Sequence, residues 1–284
     1  MPDSQLPQHA CSSKEMLADK PYLTILYQDE YIVAVDKPAG LFVHRSFMDK
    51  DEIYFAVQLV RDQIGQYVYP VHRLDRPTSG VLLFALTKDV ATLLSEAFAN
   101  KADFNHDFIS VDSLAMKKTY YALVRGYIDL QGKTGVNADS GLIDYPLKEK
   151  LDKIGDKFVN ENKAAQEAKT FAYPVAKASL PIPLGKYDSV RYSLVKLLPI
   201  TGRRHQIRRH LAHLRYPIIG DINYGDNKQN PFFHQQFGFK RLMLMAKSLE
   251  FVHPVTGKNI CITAEFDAQW QLVFQRLGWS AKQR

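Results

Sequence analysis

The segment HRLDRPTSGVLLFAL, His72 to Leu86, joins a charged turn to a strongly apolar run. PTSG, Pro77 to Gly80, favours a turn, and VLLFAL, Val81 to Leu86, has the length and composition of a buried strand. The segment holds one carboxylate, Asp75, and nearby positive charge favours its ionised form. The potential cations around it are His72, Arg73 and Arg76. We therefore expect a reactive carboxylate on a turn anchored by a core strand; the alternative is a charged turn that merely precedes the core.

The amino-acid composition is ordinary for a globular protein, apart from an excess of positive charge. The 284 residues can bury a substantial core, and 46% of them are hydrophobic and 24% charged. Lysine and arginine outnumber the acidic residues by 37 to 30, which gives a net charge of +7 and suggests a polyanionic partner. Apolar runs reach only about six residues, far short of the roughly 20 that a membrane-spanning helix needs.

The N-terminus and the cysteines bear on the compartment of the protein. Residues 1–20 are polar, contain no charged-then-apolar signal segment, and are expected to form a disordered tail. The two cysteines, Cys11 and Cys261, suggest neither a disulfide framework nor a metal site. The expected compartment is therefore the reducing cytoplasm.

Apolar patterns along the chain predict several strands and fewer helices. One helix is expected over Ile53–Ile64, and another begins at an N-cap residue, Thr87. The buried face of this second helix is expected to hold Val90, Leu93, Leu94, Ala97 and Phe98. Strand patterns occur in LTILY, YIVAVDKP, VLLFAL, TYYALVRGYI, RYSLVKLL, RLMLMAKSLEF and NICITAEF. Because strands and helices do not alternate regularly, we expect an α+β fold with a large mixed, mainly antiparallel sheet flanked by helices and loops.

A second charged segment, TGRRHQIRRHLAHLRYPIIGDINYG, runs from Thr201 to Gly225. It holds five arginines and three histidines against a single acid, Asp221. The pattern from His205 to Leu214 predicts a helix that buries Ile207, Leu211 and Leu214 and carries Arg204, Arg208 and Arg215 on an adjacent face. An arginine-rich helix N-terminus is unfavourable unless an anion lies there, which favours phosphate contact by Arg203 and Arg204. A solvated basic face is the alternative.

The histidines of this segment invite a metal-binding interpretation. Of His205, His210 and His213, only the last two share a helix face, and no carboxylate or cysteine ligand is placed near them. Structural or RNA-contacting roles explain these histidines better, so no metal is expected. The acids are too scattered for the carboxylate pair of a glycosidase, and neither a glycine-rich phosphate loop nor a GxSxG elbow occurs.

The ordered motifs resemble those of the RluA/TruC family of RNA pseudouridine synthases. HRLDRPTSG is similar to the catalytic motif of that family, and three later segments are similar to its other motifs. These are KKTYYALVRG (Lys117–Gly126), the arginine-rich segment, and RLMLMAKSLEFVHPVTG (Arg241–Gly257). The resemblance covers Tyr22–Gly257 and implies the pseudouridine synthase catalytic fold. The TruC branch, which modifies uridine 65 of tRNA, is most similar in VRDQIGQ (Val60–Gln66), DYPLKEKLDKIGDKF (Asp144–Phe158) and RRHLAHL.

The resemblance implies a role for each matched residue. Asp75 would start cleavage of the N-glycosidic bond of uridine, after which the uracil turns and rejoins the ribose through carbon. Arg208 would form a salt bridge with Asp75, and Tyr120 would stack on the base and help proton removal. Arg73 would enter the RNA stack as the target base flips out. The substrate-binding residues expected on these grounds and from the charge pattern are His72, Arg73, Arg203, Arg204 and Leu244, the last lining the uracil pocket.

The domain organisation follows from the same resemblance. Residues 21–284 are expected to form one catalytic domain, without the S4-like RNA-binding domain that several relatives carry. Residues 100–116 are expected to be an insertion that alters how an RNA stem is gripped. Met245 stands where the family often has histidine, which bears on RNA contacts there.

The function expected from the sequence is that of an RNA pseudouridine synthase, with position 65 of tRNA as the favoured target. It would need no cofactor or metal, associate with no membrane and act as a monomer. The same chemistry on ribosomal RNA is one alternative. An RNA-binding or RNA-chaperone protein that does not catalyse is the other.

Overall fold

A mixed sheet of eleven strands forms the centre of the computed structural model, which describes residues 20–45, 53–100, 115–149 and 164–280. The strands are β1 (Ile25–Gln28), β2 (Ile32–Lys37), β3 (Tyr69–Pro70), β4 (Ser79–Ala85), β5 (Lys117–Arg125), β6 (Val136–Asn137), β7 (Leu142–Asp144), β8 (Lys169–Leu180), β9 (Val190–Pro199), β10 (Leu244–Val252) and β11 (Asn259–Thr263). The helices are α1 (Ala56–Ile64), α2 (Lys88–Ala99), α3 (Gln206–His213), α4 (Gln229–Phe237) and α5 (Ala268–Arg276). The expected α+β fold is confirmed.

The described strands pair antiparallel except at one place near the middle of the sheet. Their order is β1-β2-β4-β10-β5-β9-β8-β7-β6, with β3 paired to β4 and β11 paired to β10. β4 and β10 run parallel, with Ser79 opposite Met245 and Gly80 opposite Ala246. A Cβ atom on Gly80 would lie 2.1 Å from the Ala246 carbonyl oxygen, so only glycine permits this approach. The parallel pair brings the turn before β4 beside the start of β10.

Strand β4 is buried on both faces, which accounts for its uninterrupted apolar sequence. Val81 and Leu83 belong to a large core that also contains residues of α3, α4 and α5. Leu82 and Phe84, which alternate with them, belong to a second core built with α1. Each such side chain contributes about 1.5–3 kcal/mol by burial. The strand therefore anchors the preceding turn between two cores.

Helix α2 begins where the sequence predicts, but its buried face is narrower than expected. Thr87 Oγ1 accepts a hydrogen bond from the Val90 amide at 3.3 Å, as expected of an N-cap. Val90 and Leu94 are buried, whereas Leu93, expected on the same face, is 46% exposed. The expectation for Leu93 was wrong because α2 packs on β3 and β4 with one stripe, and Leu93 lies beside that stripe.

Some expectations fall outside the described residues. Residues 1–19 of the expected tail and residues 101–114 of the expected insertion lie outside them. Met245 lies inside them and is buried in the large core, so its side chain is part of the packing beneath β10. Among the described helices, none is both long and apolar enough to cross a membrane.

Candidate active site

Asp75 lies on the turn between β3 and β4, and the backbone on both sides of it is fixed. Its carbonyl oxygen accepts a hydrogen bond from the Thr78 amide at 3.0 Å. Lys37, at the end of β2, is fully buried and donates to the carbonyl oxygens of Pro38, Leu41 and Arg76 at 2.9, 2.7 and 3.1 Å. Burial lowers the pKa of Lys37 to about 7, although Asp75 opposes the shift. The lysine thus ties the turn after β2 to the residue that follows Asp75.

Arg208 of α3 joins two carboxylates in the interior of the protein. Its side chain is 2% exposed. Nε and Nη2 donate to Asp221 Oδ2 and Oδ1 at 2.7 and 2.9 Å, and Nη1 donates to Asp75 Oδ2 at 3.2 Å. The structure therefore brings Arg208 to Asp75, as the resemblance implied. The bidentate pair with Asp221 holds the guanidinium in one orientation.

The sequence analysis did not predict that Asp221 pairs with Arg208. Burial opposes its ionisation, but hydrogen bonds from Arg208 and from the Asn223 and Tyr224 amides outweigh that effect and lower its pKa. The single acid of the arginine-rich segment therefore compensates Arg208. Arg208 is buried, whereas Arg204 and Arg215, which the helical pattern placed on the same face, are exposed.

His205 provides a second contact to the same oxygen of Asp75. It precedes α3 in the left-handed backbone conformation, with φ 53°, which is uncommon for a residue other than glycine. Its Nε2 lies 3.6 Å from Asp75 Oδ2, and its Nδ1 lies 3.0 Å from the Tyr224 hydroxyl. Burial lowers the pKa of His205, which favours the neutral ring. Neither His205 nor Tyr224 was assigned a role at Asp75 from the sequence.

The neighbours of Asp75 in the sequence are not its ionic partners. Arg76 donates from Nε to the Gly40 carbonyl at 3.0 Å, and its guanidinium lies over the ring of Phe42. His72 Nε2 accepts a hydrogen bond from the Leu83 amide at 2.9 Å. Burial, reinforced by Lys118, lowers the pKa of His72 to about 3, so this ring is neutral. The positive charge at Asp75 comes instead from α3, which is remote in sequence.

These elements surround a pocket with a volume of about 490 Å³. That size lies within the range of about 300–1,000 Å³ that is usual for small-ligand sites. The pocket is lined by all the site residues expected from the sequence: Asp75, Tyr120, Arg208, Arg73, His72, Arg203, Arg204 and Leu244. Tyr120 comes from β5 and Leu244 from β10, which are paired neighbours. Burial, and secondarily Asp75, raises the pKa of Tyr120, so its phenol is protonated at neutral pH.

The basic residues before α3 lie at the rim of the pocket. Arg203 and Arg204 are both exposed. Arg203 Nε donates to the Glu167 carbonyl at 3.0 Å, and its amide donates to Gln206 Oε1 at 3.0 Å. Gln206 is buried and also donates to the Lys169 carbonyl at 2.9 Å, which fixes the loop to β8. The arginines therefore stand on an ordered loop with their side chains in solvent.

The other histidines of the segment make separate structural contacts. His210 is buried, with Nδ1 3.0 Å from Thr170 Oγ1 and Nε2 3.1 Å from the Tyr145 carbonyl oxygen. His213 stacks on the ring of Tyr145 at 3.6 Å between centroids. Within the described ranges, no three or more histidine, cysteine or acidic side chains are grouped as metal ligands.

The sequence profile of the RNA pseudouridylate synthase family matches residues 31–213, a span that contains Asp75, Tyr120 and Arg208. The chain belongs to this family.

Similar proteins agree with this RNA pseudouridylate synthase assignment. A Vibrio cholerae protein called tRNA pseudouridine synthase C is 49% identical over 90% of this chain and 96% of its own length. A Yersinia pestis protein of the same name is 50% identical over 91% of this chain and 92% of its own. The solved structure of human RNA pseudouridylate synthase domain containing 4 is 25% identical, with a TM-score of 0.60 over 90% of this chain and 93% of its own. Pseudouridine synthases are isomerases, and the expected family, fold and enzyme class are confirmed.

Two site residues that the sequence analysis missed, Asp221 and Lys37, left weak signals in the sequence of this synthase. Asp221 is the only acid in an arginine-rich segment, which makes it a candidate partner for one of the arginines. Lys37 continues the alternation of Val33 and Val35 along β2, which predicts a buried lysine. His205 offers no such signal, because its approach to Asp75 depends on the packing of α3.

Proposed function

We propose that this chain isomerises uridine to pseudouridine in tRNA, with position 65 as the target. The observation that carries the proposal is the carboxylate of Asp75, which is held by buried Arg208 inside a pocket that also contains Tyr120. The choice of tRNA is supported by the Vibrio cholerae and Yersinia pestis relatives, which are named as tRNA enzymes. Position 65 is supported by the similarity to the TruC branch.

Asp75 is the catalytic carboxylate in this proposal. Arg208 and His205 both approach Oδ2, and among the described residues no hydrogen bond is made to Oδ1. Oδ1 is therefore the oxygen that is available to act on the flipped nucleotide. The bond between ribose and nitrogen breaks, and a bond between the same ribose carbon and a ring carbon forms; that ring carbon loses its proton, and the released nitrogen takes one up. The reaction moves atoms within one nucleotide without oxidation or reduction, which supports a site that needs no cofactor.

Tyr120 and Leu244 form the apolar walls for the detached base. An aromatic ring stacks on any base by about 1–3 kcal/mol, which helps to retain uracil while it turns. The protonated state of the Tyr120 phenol supports stacking and hydrogen-bond donation, and argues against a phenolate as the base that removes the proton.

The basic rim supports binding of the RNA strand. Arg203 and Arg204 are exposed beside the pocket, and the net charge of +7 favours association with a polyanion. Flipping a base costs a few kcal/mol, which such contacts must offset. Arg73 is exposed next to Asp75, a position that supports its insertion into the stack that the base leaves. His72 is neutral, so we assign it hydrogen bonding rather than charge pairing.

Pseudouridine mapping tests the proposal. tRNA and ribosomal RNA from cells with and without this protein are compared at single-nucleotide resolution. We expect one pseudouridine, at position 65 of tRNA, to disappear and to return when the chain is supplied again. Loss confined to ribosomal RNA would keep the chemistry and replace the substrate. Identical maps would refute the enzyme and leave an RNA-binding protein.

Compartment and assembly are also part of the proposal. We place the protein in the cytoplasm, as the sequence suggests and as a tRNA substrate requires. Cys261 is an exposed free thiol, which suits a reducing compartment. We propose a monomer because the lining of the pocket comes from a single chain.

A further inference from the structure

Lys118 lies on the wall of the pocket and has no ionic partner among the residues that the structure describes. It shares a face of β5 with Tyr120, since residues two apart along a strand point the same way. Its neighbour Lys117 points to the opposite face, where Nζ lies 3.2 Å from Glu250 Oε2. Within the part of the chain that the structure describes, Lys118 makes no hydrogen bond and no ion pair. The two adjacent lysines thus differ in whether their charge is matched.

The described residues around Lys118 supply hydrogen-bond donors and no unengaged anion. The side chain is partly buried, and desolvation lowers its pKa, so the protein itself disfavours this charge. His72 is close enough to be affected by Lys118, and its Nε2 is already occupied by the Leu83 amide. The remaining Nδ1 of His72 therefore carries the proton and is a donor. Asp75 is the only acidic residue among the described residues that line the pocket, and it is engaged by Arg208 and His205.

We propose that Lys118, with the Nδ1–H of His72, binds a phosphate of the RNA strand that carries the target uridine. This inference rests on the proposed function, because it takes RNA as the ligand. A partly buried ammonium group is costly unless it meets an anion. Phosphate is the anionic group of RNA, and a flipped nucleotide brings its own phosphate into the pocket. The resulting charge-assisted hydrogen bond is stronger than one to a neutral uracil carbonyl.

The salt dependence of RNA binding tests the contact directly. The affinity for a tRNA transcript is measured as a function of salt for the wild type and for Lys118→Gln, Lys118→Arg and Lys117→Gln. Loss of one phosphate contact reduces the slope of log K against log salt by about 0.7–0.9. We expect that reduction for Lys118→Gln, recovery in Lys118→Arg, and the wild-type slope for Lys117→Gln. Weaker binding with an unchanged slope would instead assign Lys118 to a uracil carbonyl and overturn the proposal.

Thermal unfolding separates binding from a structural role. Because Lys118→Gln removes a desolvated charge that makes no ion pair with any described residue, we expect the thermal midpoint of the free protein to equal or exceed that of the wild type. A structural lysine would give a lower midpoint, with binding lost in proportion to unfolding. That result would overturn the assignment.

Replacing single phosphates of the RNA with neutral analogues identifies which phosphate contacts Lys118. Methylphosphonate groups are placed one at a time around the target uridine in a short stem-loop. One position should weaken binding to the wild type and have no further effect on Lys118→Gln. Equal losses for both proteins at every position would refute the contact. A wild type that binds RNA but forms no pseudouridine would refute the proposed function alone, since the salt slope reports on Lys118 without catalysis.

Discussion

Two charged residues that line the pocket, Asp75 and Lys118, differ in whether the protein supplies an opposite charge. Asp75 contacts Arg208, which is itself bound by Asp221, so each of these three groups has an oppositely charged neighbour within the protein, although the one cation is shared by two carboxylates. By contrast, Lys118 has no ionic partner among the described residues and lies beside a neutral His72. The first arrangement is complete without a ligand, and the second is completed by one. The difference suggests that the protein fixes its reacting group in advance and leaves the binding charge for the RNA.

The contacts among Asp75, Arg208 and Asp221 are better explained by orientation of Arg208 than by a gain in stability. Moving ions out of water costs several kcal/mol each, so a buried pair contributes little net stability. Loss of the Asp221 charge, however, leaves the buried Arg208 with a single contact, to the partly exposed Asp75, so its charge is only partly compensated. The bidentate pair with Asp221 keeps Arg208 Nη1 aimed at Oδ2 of Asp75, 3.2 Å away. Asp221 thus positions Arg208 and does not itself line the pocket.

The largest expected effect comes from removing the charge of Asp75. Asp75→Asn keeps the size of the side chain, and Arg208 retains its pair with Asp221. We expect pseudouridine formation to fall by about 10⁴-fold, because a group that acts in the chemical step is lost. RNA binding should remain close to that of the wild type. Single-turnover assays with saturating protein measure the first quantity, and filter binding measures the second; undiminished turnover would show that Asp75 is not the reactive group.

Asp221→Asn tests how strongly the Asp221–Arg208 pair contributes to the stability of the protein. The amide oxygen can still accept from the Asn223 and Tyr224 amides, so the substitution mainly removes the charge that matches Arg208. We expect unfolding free energy to fall by about 3–5 kcal/mol, measured with urea.

The control is Asp62→Asn, which breaks partly exposed pairs with Lys20 and Arg61. It should cost less than about 1 kcal/mol. Similar costs for both substitutions would mean that the Arg208 network is no more tightly coupled than a surface pair.

The turn and its strand could be predicted because their signals are local. PTSG followed by six apolar residues predicts a turn and a buried strand, and Thr87 predicts the start of α2. Tertiary packing decided the rest. The helical pattern placed Arg208 beside the buried stripe without a partner, and the loop after α3 brings Asp221 to it and buries both side chains. Similarly, α4 was not predicted, because its N-cap Lys228 makes no side-chain cap and only three phenylalanines anchor a polar sequence.

A smaller effect is expected from acid, at a histidine on the same helix as Arg208. His210 is fully buried, and burial lowers its pKa to about 4 from the usual value near 6.5. Below pH 6.5 the unfolded chain binds a proton that the folded chain refuses, so stability falls as the pH falls toward 4. The loss should reach about 2 kcal/mol between pH 7 and pH 5.

Urea unfolding at several pH values measures this loss, with His210→Gln as the comparison. The variant should show a flatter pH dependence, since glutamine does not titrate. Parallel curves for the two proteins would assign the acid sensitivity to other groups.

The smallest expected effect concerns the second contact to Asp75. If the Tyr224 hydroxyl donates to His205 Nδ1, the proton of the neutral ring lies on Nε2 and faces Asp75 Oδ2. The opposite tautomer would direct a lone pair at a carboxylate. His205→Ala should lower the rate of the chemical step by about tenfold, and His205→Gln, which restores a donor, should recover part of it.

Tyr224 provides the decisive comparison, because its hydroxyl lies 3.0 Å from His205 Nδ1 and is expected to act on Asp75 through that ring. In the wild-type background, Tyr224→Phe should lower the rate of the chemical step severalfold, because the His205 ring can then adopt the tautomer with its proton on Nδ1. In the His205→Ala background the same substitution should have no effect. Single-turnover rates of the four proteins give this cycle. Additive losses would show that Tyr224 acts independently of His205, for instance through Arg208, whose guanidinium lies 5.2 Å from the centre of the Tyr224 ring. Arg208 and Asp221 would then position Asp75 without a contribution from a His205–Tyr224 hydrogen bond.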